Sequence, residues 1–225
     1  MTEVDPPNLV PERGPRLPPG PRTEGAWEHH RRKLRTGTLR AVAANGYERT
    51  KVADIVREAQ ISRRTFYEHF ADKQECFLDA YEAATARLID VINDAVCGQS
   101  YGHRRMLSGM DAYLRVVTGD PDLARVFLVE IVRVGSAGMR RRRDAYRQWA
   151  EMLARNSRSR PDSAAAEFTA AQWQSLLASV NERVLVAIEE EALGDLPELR
   201  RQILDLLDAV LNAHRTNPSA PMPTI

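Results

Sequence analysis

YERTKVADIVREAQISRRTFYEHFADK, residues 47–73, carries the start and stop signals of successive short helices. Val52, Ile55, Val56 and Ala59 recur at i, i+3, i+4 and i+7, the spacing of one apolar helical face. Thr50 precedes that run, where its hydroxyl can accept an orphan N–H, and Asp54 suits the positive end of the helix dipole. Ser62 is placed to cap a second helix. Ile61 before the cap and Phe66 inside the helix have the spacing of a hydrophobic staple. Phe66 and Phe70 lie four apart and face inward, which leaves Arg63, Arg64, Thr65, Tyr67 and His69 on the other faces. Asp72-Lys73-Gln74-Glu75 opens a further helix, with Glu75 three residues after the cap. Two short helices joined by a tight turn form a helix-turn-helix, which sets its second helix into the DNA major groove.

The charge around this stretch agrees. The chain has 225 residues and a formal net charge of only +1, so it is not a general polyanion binder. Residues 31–73, however, carry eleven basic side chains against five acidic ones. A basic module on a near-neutral chain suits local phosphate contact. Hydrophobic residues make up 43%, enough for a substantial core. The two cysteines, Cys76 and Cys97, fall on one expected helix about 31 Å apart and cannot pair within it. They read as reduced thiols of a cytoplasmic protein, with a redox sensor as the sharper alternative. No apolar run is long enough to span a membrane, and the N-terminus has no apolar secretory core.

Working outward, residues 1–25 contain seven prolines and read as a disordered arm, inert or trailing along phosphates or entering the minor groove through Arg13, Arg16 and Arg22. A first helix spans Trp27 to Asn45 and ends at Asn45-Gly46 through a left-handed cap. A long helix from Lys73 to about Val96 is about 36 Å long. Beyond Gly98 the pattern stays helical. Segments run over Arg104–Val117, from Asp120 with Pro121 at its first turn to Val134, over Met139–Asn156, Asp162–Ala192 and Pro197–His214. No strand alternation or internal repeat is present. The predicted organisation is all-α: an arm over 1–25, a helix-turn-helix domain over 26–72, a helical body over 73–215 and a disordered tail over 216–225.

Gly46-Tyr47, Thr50, Val52, Asp54-Ile55, Ser62, Thr65-Phe66-Tyr67, His69-Phe70 and Lys73 together resemble the DNA-binding segment of tetracycline-repressor-like (TetR-family) regulators. The likeness covers roughly Leu34 to Phe77. Gln60 departs from the pattern, because the family usually has Gly there. The resemblance implies a homodimer with an N-terminal three-helix DNA module and a C-terminal helical domain for effector binding and dimerisation. It also implies a double-stranded DNA operator and a small-molecule effector, whose identity the sequence does not give.

The candidate DNA contacts are Thr50, Arg63, Arg64, Thr65, Tyr67, His69 and Lys73. Arg63 and Arg64 sit at the end of the recognition helix that meets base edges, and Arg pairs bidentately with guanine. Thr65 suits a thymine methyl or a phosphate. Thr50, Tyr67 and His69 suit phosphates, as does Lys73 on the first turn of its helix. Met106, Met110, Tyr113, Phe127, Tyr146, Trp149 and Trp173 are candidates for a plastic apolar effector pocket, each also readable as ordinary core. Two apolar stripes near the C-terminus, through Val184 and through Leu206, suit a four-helix seam with a twofold mate, or burial within one chain.

No catalytic motif, metal-ligand spacing or nucleotide-binding loop is present, so no catalytic residue, metal or cofactor is assigned. The favoured reading is a ligand-responsive repressor of a near-palindromic operator and not an enzyme. The alternatives are a helical ligand-binding protein or enzyme with a vestigial DNA module, and a regulator controlled by a protein partner.

Overall fold

The structure, a computed structural model, describes residues 24–97, 103–158, 168–190 and 196–216, and no strand occurs among them. In chain order the elements are α1 (Glu24–Asn45), α2 (Val52–Ala59), α3 (Arg63–His69), α4 (Lys73–Val96), α5 (His103–Gly119), α6 (Pro121–Arg125), a π-turn (Val126–Glu130), α7 (Ile131–Arg133), α8 (Ser136–Arg158), α9 (Ala170–Glu189) and α10 (Leu196–Thr216). The expected arm lies outside the described residues except at Glu24 and Gly25, which open α1 three residues before Trp27. The expected tail lies outside them except at Thr216, the last residue of α10. No helix among the described residues is long and apolar enough to cross a membrane.

The chain divides into two compact units: Met1–Leu88 with Gly119–Arg141, and Ile89–Thr118 with Arg142–Ile225. The first contains the helix-turn-helix. Its core joins Leu34 and Ala41 of α1, Ile55 and Ala59 of α2, Phe66 and Phe70, and Cys76 of α4, with Val52, Val56 and Ile61 packed against them. α1 and α2 cross at Gly37, where a Cβ would stand only 2.6 Å from the Ala59 nitrogen. A side chain there would force the two helices apart.

The segment 121–133 belongs to this same unit. α6 and the π-turn pack on α1, and Leu123, Val126 and Ile131 are buried. The sequence pattern reads Asp120 to Val134 as one regular helix of the body. Its cap is found, with Asp120 Oδ1 accepting from the Leu123 N–H at 2.9 Å. The interruption by a π-turn is not in the pattern, because the run Val126–Val132 is apolar at every position but Glu130 and so marks no single helical face.

In the second unit, α9 packs against α10. Thr169 caps α9 in a reciprocal box with Gln172. The earlier start expected at Asp162 lies outside the described residues. The α9 stripe of Leu176, Leu177, Val180, Val184, Ala187 and Ile188 is buried within the single chain, as are Leu199, Ile203, Leu207 and Val210 of α10. Leu206 is half-buried.

Candidate nucleic-acid interface

α3 is seven residues long and relies on its surroundings for stability. Ser62 caps it, with Oγ accepting from the Thr65 N–H at 3.0 Å. Ile61 packs with the cluster that contains Phe66, so the staple forms as its spacing indicates. Phe66 is fully buried and anchors the helix. The preceding turn bends at Gln60, whose φ of 54° and ψ of 47° are left-handed, and the Ile61 N–H reaches back to the Val56 carbonyl at 3.0 Å. Gln60 adopts the conformation a glycine would have served, at the strain cost a side chain brings.

The structure divides the seven candidate DNA contacts. Arg63, Arg64 and Tyr67 are exposed; the Arg64 side chain is 87% exposed and Tyr67 57%. Arg64 reaches Glu68 one turn on at 3.3 Å, a loose surface pair that gives way readily to another acceptor. The Tyr67 ring stands edge-on to Phe66, with centroids 5.2 Å apart. The Thr65 hydroxyl meets Ser62 Oγ at 2.9 Å.

The other three are tied into the fold. Thr50 is 1% exposed, and its hydroxyl donates to the Gly46 carbonyl at 2.7 Å and the Ala41 carbonyl at 3.1 Å. Thr50 therefore does not cap α2. Lys51 holds the cap position, and Asp54 accepts its N–H at 3.0 Å, which with Arg57 keeps the Asp54 carboxyl below its usual range. Lys73 Nζ donates to the Tyr47 carbonyl at 2.7 Å and the Glu48 carbonyl at 3.3 Å. His69 stacks on Trp27 with ring centroids 3.8 Å apart, and its Nδ1 is buried without a hydrogen-bond partner. Burial, then His30, pushes the His69 imidazole pKa down.

Two acids that the sequence reading passed over organise the same unit. Asp79 of α4 accepts from Arg31 at 2.5 Å and from Arg35 at 2.6 Å, pinning α4 to α1. Burial would raise the Asp79 pKa, but the hydrogen bonds and charges of Arg35 and Arg31 overcome it and hold the carboxyl low. The signal was the i,i+4 arginine pair, which invites one shared carboxylate. Glu130, at the end of the π-turn, is 4% exposed and accepts the Tyr47 N–H at 2.7 Å. Its signal was a lone acid inside the apolar run 126–132.

The candidate pocket residues fall in both units. Phe127 belongs to the first unit, where it packs on Tyr81 with centroids 5.4 Å apart. Met110, Tyr113, Tyr146, Trp149 and Trp173 belong to the second. The side chain of Met106 lies outside the described residues. The Tyr113 hydroxyl and buried Asn181 meet at 2.6 Å, and the Tyr113 ring packs on Trp149 at 5.7 Å. Trp173 packs on Phe168 at 5.3 Å. The indole N–H groups of Trp149 and Trp173 are buried without hydrogen-bond partners. Burial raises the Tyr146 pKa, and Arg142, 3.1 Å from its hydroxyl, opposes the rise. No group of three or more metal-ligating side chains occurs among the described residues.

Residues 34–80 match the bacterial regulatory proteins of the tetR family. No curated protein matches the chain significantly. Among solved structures, the fatty acid degradation regulator FadR from Bacillus halodurans superposes with a TM-score of 0.68 at 15% identity, covering 79% of this chain and 94% of that one. The transcriptional regulator FadR from Bacillus subtilis, solved in complex with stearoyl-CoA, gives 0.65 at 15% identity, covering 78% and 96%. A protein from Shewanella sp. PV-4 described as a tetR family transcription regulator gives 0.62 at 15%, covering 79% and 95%. At these identities the structural likeness speaks for the fold, and the segment match speaks for the DNA-binding head. Residues 34–80 thus form a DNA-binding domain of the tetR family of bacterial regulatory proteins, in a chain with the fold of the regulators it superposes on.

Proposed function

We propose that this regulator is a homodimeric, cytoplasmic repressor of a near-palindromic operator, released by a small, largely apolar effector. The observation that carries the DNA half of this reading is the outer face of α3. Arg63, Arg64 and Tyr67 are exposed there, over a Phe66 anchor that is fully buried. Arg63 and Arg64 would read base edges, with Thr65 and Tyr67 beside them at methyl groups and phosphates. Thr50, His69 and Lys73 would act by holding the head in shape.

The effector half rests on the second unit. Two buried indole N–H groups lack acceptors, in surroundings that include Phe168, Tyr113 and buried Asn181. Unpaired buried donors cost free energy, which an apolar ligand carrying an acceptor oxygen would recover. The Bacillus subtilis neighbour holds stearoyl-CoA, which makes long-chain acyl thioesters the first ligands to try. Such an effector releases operator only to the extent that it prefers the DNA-incompetent state; a tenfold effect needs about 1.4 kcal/mol of preference.

Selection of bound fragments from a random DNA pool tests the reading. A twofold-symmetric consensus that wild-type protein binds, and that Arg64→Ala reads with relaxed preference at one base position at a cost of about 1–3 kcal/mol, supports it. An unselected pool would overturn it. Titrating the operator complex with acyl thioesters tests the effector half; the regulator is then controlled otherwise if neither release nor a change in thermal midpoint follows.

A further inference from the structure

Burying a carboxylate is costly, and evolution had an apolar alternative at every neighbouring position of the run VFLVEIV. Glu130 is nevertheless buried within the unit that contains the DNA-binding head. Its Oε2 accepts the Tyr47 N–H at 2.7 Å, and a Cβ added to Gly46 would stand 3.5 Å from the same oxygen. Arg133 Nη1 lies 3.5 Å from Oε1 and balances the charge from a half-exposed position. Gly46 and Tyr47 open the loop that leads from α1 to α2. Lys73 holds the same residue from its other end, through the Tyr47 carbonyl. The Tyr47 peptide groups are thus gripped by a carboxylate on one side and an ammonium on the other.

The backbone that presents Glu130 is also unusual. Val126–Glu130 forms a π-turn between α6 and α7. One residue in a regular α-helix corresponds to a rotation of about 100° about the axis. A return of this turn to α geometry would shift the register by one residue and carry Glu130 away from the Tyr47 N–H. π-turns of this kind are concentrated at functional positions because they re-aim a side chain.

We propose that Glu130 is a positioning residue for DNA binding: the π-turn aims its carboxylate at the Tyr47 N–H, and this latch fixes where α2 and α3 sit on α1. Glu130 touches no DNA in this scheme. It acts through the α1–α2 loop, from a segment outside the 34–80 domain.

The test uses full-length protein and DNA selected by the wild type, so the inference rests on the DNA-binding reading. Wild-type binding checks that reading, and the ratio of variant to wild-type affinity checks the latch. Glu130→Ala is expected to weaken binding roughly tenfold, to speed hydrogen exchange of the Tyr47 amide, and to leave the slope of affinity against salt unchanged, since no phosphate contact is lost. Glu130→Gln keeps an acceptor oxygen in place and is expected to bind within about twofold of the wild type. Glu130→Asp keeps the charge but withdraws it from the N–H; it should fall between the two, and it serves if the alanine variant does not fold. Wild-type affinity in Glu130→Ala, or in Glu130→Asp where the alanine variant does not fold, or a reduced fraction of active protein with unaltered affinity in that fraction, would overturn the proposal.

Discussion

Lys73 Nζ lies 2.7 Å from the Tyr47 carbonyl oxygen and 4.3 Å from the centroid of the Tyr47 ring. The charge that reads in sequence as a phosphate ligand at the start of α4 is bound, in the fold, to the loop before α2. Burial lowers its pKa, with Glu48 opposing. A charged donor to two carbonyls, with a ring beneath it, contributes to the stability of the head before any DNA arrives.

Lys73→Met should therefore lower stability by about 1–2 kcal/mol, the value for a charge-assisted hydrogen bond discounted for partial exposure. Operator binding should weaken alike for all sequences, with the salt slope unchanged. Chemical denaturation and a salt titration of binding measure the two effects. A slope that falls by about one, with stability intact, would return Lys73 to the phosphates.

How much was legible in the sequence follows from where each signal resides. Ser62, the Ile61–Phe66 staple and the left-handed Gly46 speak through neighbours a few residues away, and all are found. Thr50 also carries a local signal, but a competing one: two carbonyls from α1 and its following loop capture its hydroxyl and turn it inward, leaving the cap position to Lys51. Lys73, Asp79 and Glu130 act on partners 26, 44 and 83 residues away. Charge and periodicity announce such residues without saying whom they meet. Phe127 illustrates the same limit, since its aromatic character fits a pocket as well as the Tyr81 contact it makes.

Gln60 gives a prediction of opposite sign. Among the described residues it is the one non-glycine at positive φ. A side chain in that region costs about 1–2 kcal/mol, whereas glycine adds chain entropy to the unfolded state worth about 0.4–1 kcal/mol. Gln60→Gly should stabilise the protein by roughly 0.5–1 kcal/mol, seen as a higher thermal midpoint with operator preference unchanged. A lower midpoint would mean that the Gln60 side chain makes a compensating contact.

The His69–Trp27 stack makes stability depend on pH. Burial lowers the His69 pKa, with His30 and Arg31 adding to the effect and Glu68 and Glu28 opposing it. Burial, Lys33, Arg32 and His30 lower that of His29. The unfolded chain therefore binds protons more readily than the folded one. This stability is fully present above the ordinary imidazole value of about 6.5 and is lost as pH falls through the depressed folded values. The thermal midpoint should drop between about pH 7 and pH 5, ahead of carboxylate protonation. His69→Phe keeps a ring against Trp27 and should reduce that drop. An unchanged pH profile in this variant would remove His69 as its source.

Val184 and Leu206 separate the internal core from the proposed dimer seam. Val184 is 0% exposed within one chain, so its place on the α9 stripe is spent on the internal core. Val184→Arg would bury an unpaired charge there and should leave little folded protein. Leu206 is half-buried on α10, between exposed Asp205 and the buried Leu207. Leu206→Arg can extend its head into solvent in an isolated chain, so the helical content should survive. At a twofold seam the same charge would face its own copy across the axis and separate the protomers. Sedimentation should show a folded Leu206→Arg monomer that has lost operator affinity, beside a Val184→Arg protein that is largely unfolded. A Leu206→Arg protein that sediments as a dimer with operator binding intact would put the interface on another face of the second unit.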